Sequence, residues 1–303
     1  MTNSKRRRYV TARRVQEVAR ELSLVDIYVL VQVHRHPFLT PDHLRILLTS
    51  SLEGGPAYPS CSRAAINRRL ARLRQAGLVV GYRPPVARGT APYHYYLDEL
   101  GAHVVAQRGG LARSELRWSV DRVRGRLLTY QHQAEVNEFF LMLLQHGSQV
   151  GHTGLWEWQG EDQCLTEFPW RGRTVRIAPD GFGVYVVDDQ AYCFFVEWDR
   201  GLGPVRALRD KAERYVWYYQ SGAYQERYPA CPDLWIVTRT EIRRRQIASL
   251  LRGLLDRHAT CPQFLVTYGA LIAPDLGGAV WWDPARKQWV TFLGQTAAEL
   301  SPQ

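Results

Sequence analysis

Lysine, cysteine and long apolar runs are all scarce in this sequence. Lys5, Lys211 and Lys287 are the three lysines among 39 basic residues, so arginine is the default cation. The five cysteines lie far apart and none forms a C-x-x-C pair, which argues against a zinc site or a disulfide framework. No apolar run approaches the roughly 20 residues that span a bilayer. Because no apolar segment follows the basic N-terminus, no secretory signal is expected, and the predicted location is the cytoplasm.

The sequence also lacks the short motifs of several common enzyme families. It has no P-loop, no G-x-G-x-x-G, no G-x-S-x-G and no internal repeat. Its 303 residues, 46% of them hydrophobic, are enough for about two globular domains.

Positive charge is concentrated in the first part of the chain. The net charge is +10, but residues 1–130 hold 22 Lys and Arg against 9 Asp and Glu, whereas residues 131–303 hold 17 against 20. A basic excess confined to one region predicts that this region meets a polyanion and that the other region does different work.

Three helices are expected in the basic region. The first covers residues 23–35, and its predicted apolar stripe is formed by Leu24, Ile27 and Val31. The second starts at Thr40, where Thr-Pro-Asp supplies an N-cap, a proline for the first helical position and an acid for the first turn. The third runs over about 60–76 and ends before Gly77. Its predicted apolar stripe is formed by Ile66, Leu70 and Leu73.

Residues 78–97 are expected to form a hairpin, and three helices followed by a hairpin is the order of a winged helix. The third helix would then enter the major groove of duplex DNA, while arginines beside it and on the wing would hold phosphates. The candidate DNA-binding residues are Arg63, Arg68, Arg69, Arg72, Arg83 and Arg88. A helical packing domain with a solvated basic face is the alternative. The basic residues 1–22 are either an arm lying along phosphates or a solvated tail.

Residues 175–201 predict two strands joined by a tight turn, because two apolar runs flank Asp188-Asp189-Gln190. If Asp188 and Asp189 are the turn residues, Val187 pairs with Gln190. Counting back from that pair sets the register of the whole hairpin.

This register would gather three carboxylates. Asp180 would lie opposite Glu197, and Asp199 would share their face of the sheet because side chains alternate along a strand. Like charges at contact distance need a cation, a shared proton or an arginine, and a hard divalent ion is the usual partner. The alternative is an ordinary turn at Asp180, with Glu197, Asp199 and Arg200 as a salt-bridge cluster at the strand end. Lys211, at the edge of a following helix, would neutralise the carboxylates, hold a phosphate, or extend to solvent.

Two stretches resemble a known family. Residues 24–100 contain T-P-D-H-L, RRLARLRQAGLV and YHYYLDELG, and residues 132–215 contain HQAEVNEFF, PDG and VEWDRG, then a helix with Lys211 and Tyr215. Over most of residues 24–220 they resemble the replication-relaxation family of bacterial plasmids and mobile elements.

The resemblance implies an α+β protein, with an N-terminal winged helix-turn-helix domain followed by an α/β domain like the PD-(D/E)xK nucleases. In that nuclease pattern a helix glutamate, an aspartate after proline and an E-x-K strand hold a divalent metal around a phosphodiester. Asp180 matches the aspartate and Glu197 the glutamate, whereas Asp199 stands in the lysine position and Lys211 would have to substitute. The implied catalytic residues are these four, with Mg²⁺ bound by the three carboxylates.

The expected organisation is a basic arm over 1–22, a winged-helix domain over 23–110, a connector over 111–126 and a nuclease-like domain over 127–303. The expected function is DNA binding in the replication, relaxation or mobilisation of a plasmid or mobile element. If the nuclease-like domain is active, it would cleave or nick DNA with Mg²⁺.

Other functions are kept open. The main alternative is a non-enzymatic replication accessory protein or transcription regulator with an inactive nuclease fold. A tyrosine relaxase is less favoured, because the histidines do not cluster with metal-ligand spacing. Double-stranded DNA is the expected partner and a membrane is not. Other proteins of a replication or mobilisation complex, and a second copy of the chain in a homodimer, remain open as partners.

Overall fold

The computed structural model describes residues 10–50, 52, 61–112, 114–147 and 153–296. They fall into two compact units, divided inside one helix between Asn137 and Glu138. Within these residues, no helix is both long enough and apolar enough to cross a membrane.

The first unit consists of helices and one hairpin. Its elements are, in chain order, α1 (Ala12–Glu21), α2 (Leu24–Arg35), α3 (Pro41–Thr49), α4 (Arg63–Gln75), β1 (Val79–Tyr82), β2 (His94–Leu97), α5 (Glu99–Arg108), α6 (Val120–Leu128) and the first part of α7 (Tyr130–Gly147). β1 and β2 pair antiparallel. The three expected helices and the expected hairpin are therefore confirmed as α2, α3, α4 and β1–β2.

The predicted helix ends are confirmed, but the predicted buried face of α2 is wrong. Thr40 accepts a hydrogen bond from His43 N at 3.2 Å, and Gly77 has a left-handed φ of 75°. On α2, Leu24 is 80% exposed, and the buried apolar residues are Val29, Leu30 and Val33. The sequence of α2 is apolar on most sides, so its periodicity does not single out one face.

Helix α1 was not anticipated, because its residues belong to the predicted basic arm. Val15 and Ala19 are buried, and the Ala19 carbonyl accepts a hydrogen bond from Arg108 Nη2 at 2.7 Å. This part of the arm is therefore a packed helix, and residues 1–9 lie outside the described residues.

The second unit is built on a seven-stranded mixed sheet. Its elements are, in chain order, the rest of α7, β3 (Thr153–Gly160), α8 (Glu161–Cys164), β4 (Thr166–Trp170), β5 (Arg173–Ile177), β6 (Gly181–Val187), β7 (Gln190–Asp199), α9 (Val205–Ser221), β8 (Asp233–Thr238), α10 (Glu241–Leu255), β9 (Phe264–Tyr268), α11 (Gly269–Ile272), β10 (Trp281–Asp283) and β11 (Gln288–Val290). The strand order is β11-β10-β9-β8-β7-β6-β3. β7–β8 and β8–β9 are parallel and the other neighbours are antiparallel. The expected mixed α+β architecture is confirmed.

Helices cover both faces of this sheet. On one face, the ring of Phe140 from α7 stacks on Phe194, which stacks on Trp235 with ring centroids 3.7 Å apart. On the other face, α9 and α10 pack in one core with Phe195. Because side chains alternate along β7, Glu197 lies on the same face as Phe195, towards α9.

Candidate functional site

The exposed face of α4 is the first candidate site. Ser62 caps the helix by accepting a hydrogen bond from Ala65 N at 3.2 Å. Its buried side is formed, as predicted, by Ile66, Leu70 and Leu73. At 100° per residue, Arg68 lies opposite that side with Asn67 beside it, and both are exposed. Guanidinium and amide groups are the ones that make bidentate contacts to guanine and adenine.

Two of the predicted DNA-binding arginines form ion pairs with a buried carboxylate of the same unit. Asp26 is 1% exposed, and its carboxylate accepts hydrogen bonds from Arg69 Nη1 and from Arg72 Nη2, the latter at 2.6 and 2.7 Å. Burial acts to raise the pKa of Asp26, but the hydrogen bonds from Ser23 and Arg69 outweigh it, and the pKa is lowered. Arg69 and Arg72 therefore anchor α4 to α2, and a role in binding DNA would compete with this role.

The hairpin carries a second group of cationic side chains. The guanidinium carbon of Arg83 lies 4.0 Å from the ring centroid of Tyr93, and that of Arg74 lies 5.2 Å from it. A hydrogen bond from Arg74 and the charge of Arg83 lower the pKa of Tyr93. Arg88 is exposed in the loop between the strands. Arg63 pairs with Asp42 at 3.1 Å on the surface, a kind of pair that contributes little to stability.

The second candidate site is the β6–β7 hairpin, whose predicted register is confirmed. Val187 pairs with Gln190, and the pairing continues to Gly181 and Val196. Asp188 and Asp189 form the turn with φ values of 46° and 65°. Two residues of positive φ make the turn type whose twist matches antiparallel strands.

Asp180 lies directly before β6, next to the end of β7. Its backbone N donates to Val196 O at 3.0 Å, and its Oδ2 accepts from Trp198 N at 2.7 Å. Its negative charge acts on Glu197, whose pKa it helps to raise. Asp180 and Glu197 therefore come together as predicted.

Glu197 is a buried acid held by two side chains of α9. It is 3% exposed, its Oε2 accepts a hydrogen bond from Lys211 Nζ, and its Oε1 accepts one from the Tyr215 hydroxyl. Burial raises the pKa of Glu197 to about 7, although the Lys211 charge opposes this. Burial acts to lower the pKa of Lys211, but the carboxylates of Glu197 and Asp180 outweigh it and raise this pKa overall. Lys211 thus neutralises the carboxylates, one of the roles predicted for it.

Asp199 lies on the same face of β7 but has a different partner. Its carboxylate accepts two hydrogen bonds from Arg243 of α10, at 2.7 and 3.1 Å, and one from Thr238 Oγ1 at 3.1 Å. The Arg243 and Asp199 side chains are each 14% exposed. Asp199 is therefore in a salt bridge at the end of the strand, as in the alternative interpretation, but the cation observed here is Arg243 of α10, which that interpretation did not include.

These carboxylates do not fit a divalent cation in this arrangement. Mg²⁺ and Ca²⁺ take about six or more oxygen ligands, whereas both oxygens of Glu197 and both oxygens of Asp199 already accept hydrogen bonds from protein groups. Within the described ranges, no group of three His, Cys, Asp or Glu side chains could hold a metal ion. Of the three predicted ligands, Asp180 and Glu197 come together, and Asp199 is paired with Arg243 instead.

Several residues of these sites were missed at the level of sequence. The hydrogen bond from Tyr215 to Glu197 was not predicted, although Tyr215 lies four residues after Lys211 and therefore on the same helix face. Asp26 could have been found from Ser23-x-x-Asp26, which is close to a capping-box pattern. Arg243 gave no comparable signal, because it is 44 positions from Asp199.

Comparison with solved structures gives low similarity. A cysteine-to-serine mutant of MarR from E. coli in complex with operator DNA is 20% identical, with 39% of this chain and 81% of that chain covered and a TM-score of 0.24. Wild-type MarR from E. coli without ligand is 17% identical, with 41% of this chain and 97% of that chain covered and a TM-score of 0.23. Similarity at this level does not establish a shared fold. No curated protein matches the chain.

A sequence profile gives a more extensive match. The profile of the family described as Replication-relaxation matches residues 30–234, about two thirds of the chain. The matched region includes α4, the β6–β7 hairpin and Lys211.

Proposed function

The chain belongs to the replication-relaxation family, and we propose that it binds duplex DNA in the replication, relaxation or mobilisation of a plasmid or another mobile element. The first unit would make the sequence-reading contact. Its helices α2, α3 and α4 and its hairpin β1–β2 follow one another in the order of a winged helix, in which the last helix enters the major groove.

The observation that carries this proposal is the state of Arg68. It is exposed on α4 and, among the described residues, has no ion pair, whereas its neighbours Arg69 and Arg72 are bound to Asp26. The two bound arginines fix the orientation of the helix, and Arg68 and Asn67 are left to contact base edges. Arg83 and Arg88 on the hairpin are proposed to contact phosphates.

The test starts from a duplex selected out of a randomised library by the full-length protein. Asn67→Ala and Arg68→Ala should each weaken binding to that duplex by about 1–3 kcal/mol, or roughly 5- to 150-fold in Kd, because each removes one base contact. Arg176→Ala on β5 is the control, since it removes an exposed arginine from the other unit. The proposal fails if no duplex is enriched or if both α4 variants bind like the control.

We further propose that the second unit is a nuclease-like domain without catalytic activity, used in assembly with DNA or with other replication proteins. The support is that Lys211, Tyr215 and Arg243 occupy the carboxylate oxygens that a metal would need. Mg²⁺-dependent nicking stays the second candidate, because Lys211 reaches Glu197 from α9 and could replace the lysine that the E-x-K pattern lacks.

Incubation of the protein with supercoiled plasmid and Mg²⁺ separates these two candidates. We expect no nicking above the level of a buffer control. Nicking by the wild-type protein that disappears in Asp180→Ala with Glu197→Ala would contradict the non-catalytic proposal and assign the reaction to this site.

A further inference from the structure

Two grooves run beside α10 on the surface of the second unit. One, of about 400 Å³, is shared with the start of α9, and the other, of about 250 Å³, is shared with the β10–β11 turn. Ser249 lines both, so the two grooves meet on α10. We refer to them together as the α10 grooves.

Cationic side chains line the α10 grooves, and no carboxylate residue lines them. Six of these cations are at least partly exposed: Arg206, Arg209, Arg245, Arg252, Arg257 and Lys287. The net charge of residues 131–303, which include this surface, is negative, with 17 basic against 20 acidic residues. The positive surface is therefore produced by folding, which brings together cations from α9, α10 and a turn.

Acidic groups at the edges of the grooves offset only part of this charge. Arg209 pairs with Asp210 at 3.3 Å, Arg245 with Glu241 at 2.7 Å and Arg252 with Asp256 at 3.2 Å. Such surface pairs contribute about 0–1 kcal/mol and can rearrange around a ligand. The side chains of Arg206 and Lys287 have no hydrogen-bond or ion-pair partner in the part of the chain that the structure describes, so no intramolecular side-chain contact is lost when they bind an anion.

A nucleic-acid backbone suits this surface better than a membrane does. Guanidinium groups match phosphate oxygens in bidentate geometry. Arg245 and Arg252 are seven residues apart on one helix face, which spans about 10 Å. This is close to the rise of three base pairs, ~3.4 Å each, along the axis of duplex DNA. A membrane-binding face would combine cations with several exposed apolar side chains. The apolar side chains that line the grooves are partly or fully buried, as with Trp282 and Leu250. Ile242, which is 73% exposed at the start of α10, does not line them.

We propose that the α10 grooves bind the phosphate backbone of duplex DNA, as a contact surface in addition to α4. The choice of DNA as the ligand rests on the function proposed above, while the grooves and their charge do not. Contacts of this kind carry no sequence information, so they would add affinity and strong salt dependence without changing the preferred sequence.

The test is the salt dependence of binding in Arg206→Gln with Lys287→Gln, made in the full-length chain. Each lost phosphate contact lowers the slope of log K against log[salt] by about 0.9 for duplex DNA. The double variant should therefore have a slope smaller by about 2. Between 50 and 200 mM salt, it should lose about tenfold less affinity than the wild type. The rank order of duplex sequences should stay the same.

Arg171→Gln with Arg176→Gln is the matched control, because it removes two exposed arginines of the same unit outside the grooves. The inference is overturned if both double variants lower the slope equally, since net charge would then be the cause. An unchanged slope with intact DNA binding overturns this inference alone, whereas absence of DNA binding in every protein overturns the proposed function as well. Phosphatidylserine vesicles that bind the wild type but not the groove variant, with an unchanged DNA slope, would assign the surface to a membrane.

Discussion

Glu197 shows how a single buried charge constrains the residues around it. A carboxylate in an apolar core requires hydrogen-bond donors or a cation, and α9 supplies both through Tyr215 and Lys211. The free-energy cost of removing such a pair from water is about as large as the electrostatic attraction between its two charges. We therefore interpret it as a contact that fixes the position of α9 on the sheet rather than as a large source of stability.

Lys211→Met tests this interpretation through pH. Burial raises the pKa of Glu197 to about 7 even with the Lys211 charge opposing it. The substitution removes that opposing charge, so the pKa of Glu197 should rise further. In the unfolded chain a glutamate has a pKa of about 4.3, so the native state binds the extra proton and the free energy of unfolding falls as the pH rises between these values. We expect the variant to lose about 3–5 kcal/mol at pH 8 and clearly less at pH 5, measured by urea unfolding.

The double variant Lys211→Met with Glu197→Gln is the control for that experiment. Without an ionisable group at position 197, the part of the difference between pH 5 and pH 8 that Glu197 causes should disappear and part of the stability should return. Asp233, whose pKa burial also raises to about 7, contributes equally in both variants. Equal losses at the two pH values in the single variant would contradict a role for the Glu197 charge.

Asp26 is the corresponding residue of the first unit. Asp26→Ala would leave Arg69 and Arg72 without their carboxylate and remove one half of the Ser23 capping box. We expect a loss of about 2–3 kcal/mol in the free energy of unfolding, below the value for a fully buried pair because Arg72 is 62% exposed. Asp42→Ala, which breaks the surface pair with Arg63, should cost less than about 1 kcal/mol. If the two variants are equally stable, Asp26 does not anchor α4.

At the scale of elements, the β6–β7 turn determines which carboxylates meet. Both turn residues have positive φ, a conformation that asparagine and glycine adopt at lower cost than aspartate. Asp188→Asn with Asp189→Gly should therefore raise Tm by about 2–4 °C, corresponding to roughly 1 kcal/mol in a unit of this size. Asp189→Val should lower stability by about 1–2 kcal/mol. A destabilised Asn-Gly variant would show that the aspartates make contacts beyond the turn conformation.

Helix α2 and Asp199 at the end of β7 show how far local sequence patterns predict packing. The start of α3, the stripe of α4 and the register of β6–β7 were predicted correctly, because caps and two-residue turns are set by neighbouring residues. The buried face of α2 was not, because an apolar helix can pack on several sides. Arg243 also could not be assigned to Asp199, since that pairing depends on how α10 packs beside β7.

At the scale of the whole molecule, charge is arranged both along the chain and over the surface. The basic excess of residues 1–130 is visible in the sequence, but part of it pairs with a carboxylate of the same unit, as with Arg69 and Arg72. The net charge of the second unit is negative, and this unit nevertheless exposes the cationic α10 grooves. Net charge by region therefore predicts that the first part of the chain meets a polyanion, but it does not predict the cationic surface of the second unit.

A thermal-shift experiment on the whole protein tests whether the native state binds Mg²⁺. A Mg²⁺ site with a Kd of ~0.1 mM would stabilise the native state by about 2.7 kcal/mol at ~10 mM Mg²⁺ and raise Tm by about 5–10 °C. We expect a shift below about 1 °C relative to EDTA, because protein groups already bind the carboxylate oxygens of Glu197 and Asp199. A rise of several degrees that is lost in Asp180→Ala would contradict this and support a metal site.

The sequence by itself determined the order of α2, α3, α4 and the β1–β2 hairpin, the ends of those helices and the register that brings Asp180 to Glu197, since each depends on residues close in the chain. The choice of partner for each charge was decided only by tertiary structure. Asp26 with Arg69 and Arg72, Asp199 with Arg243, and the cations of the α10 grooves all come from elements far apart in sequence. Their proximity follows from how helices pack on the sheet and on one another, which no local pattern encodes.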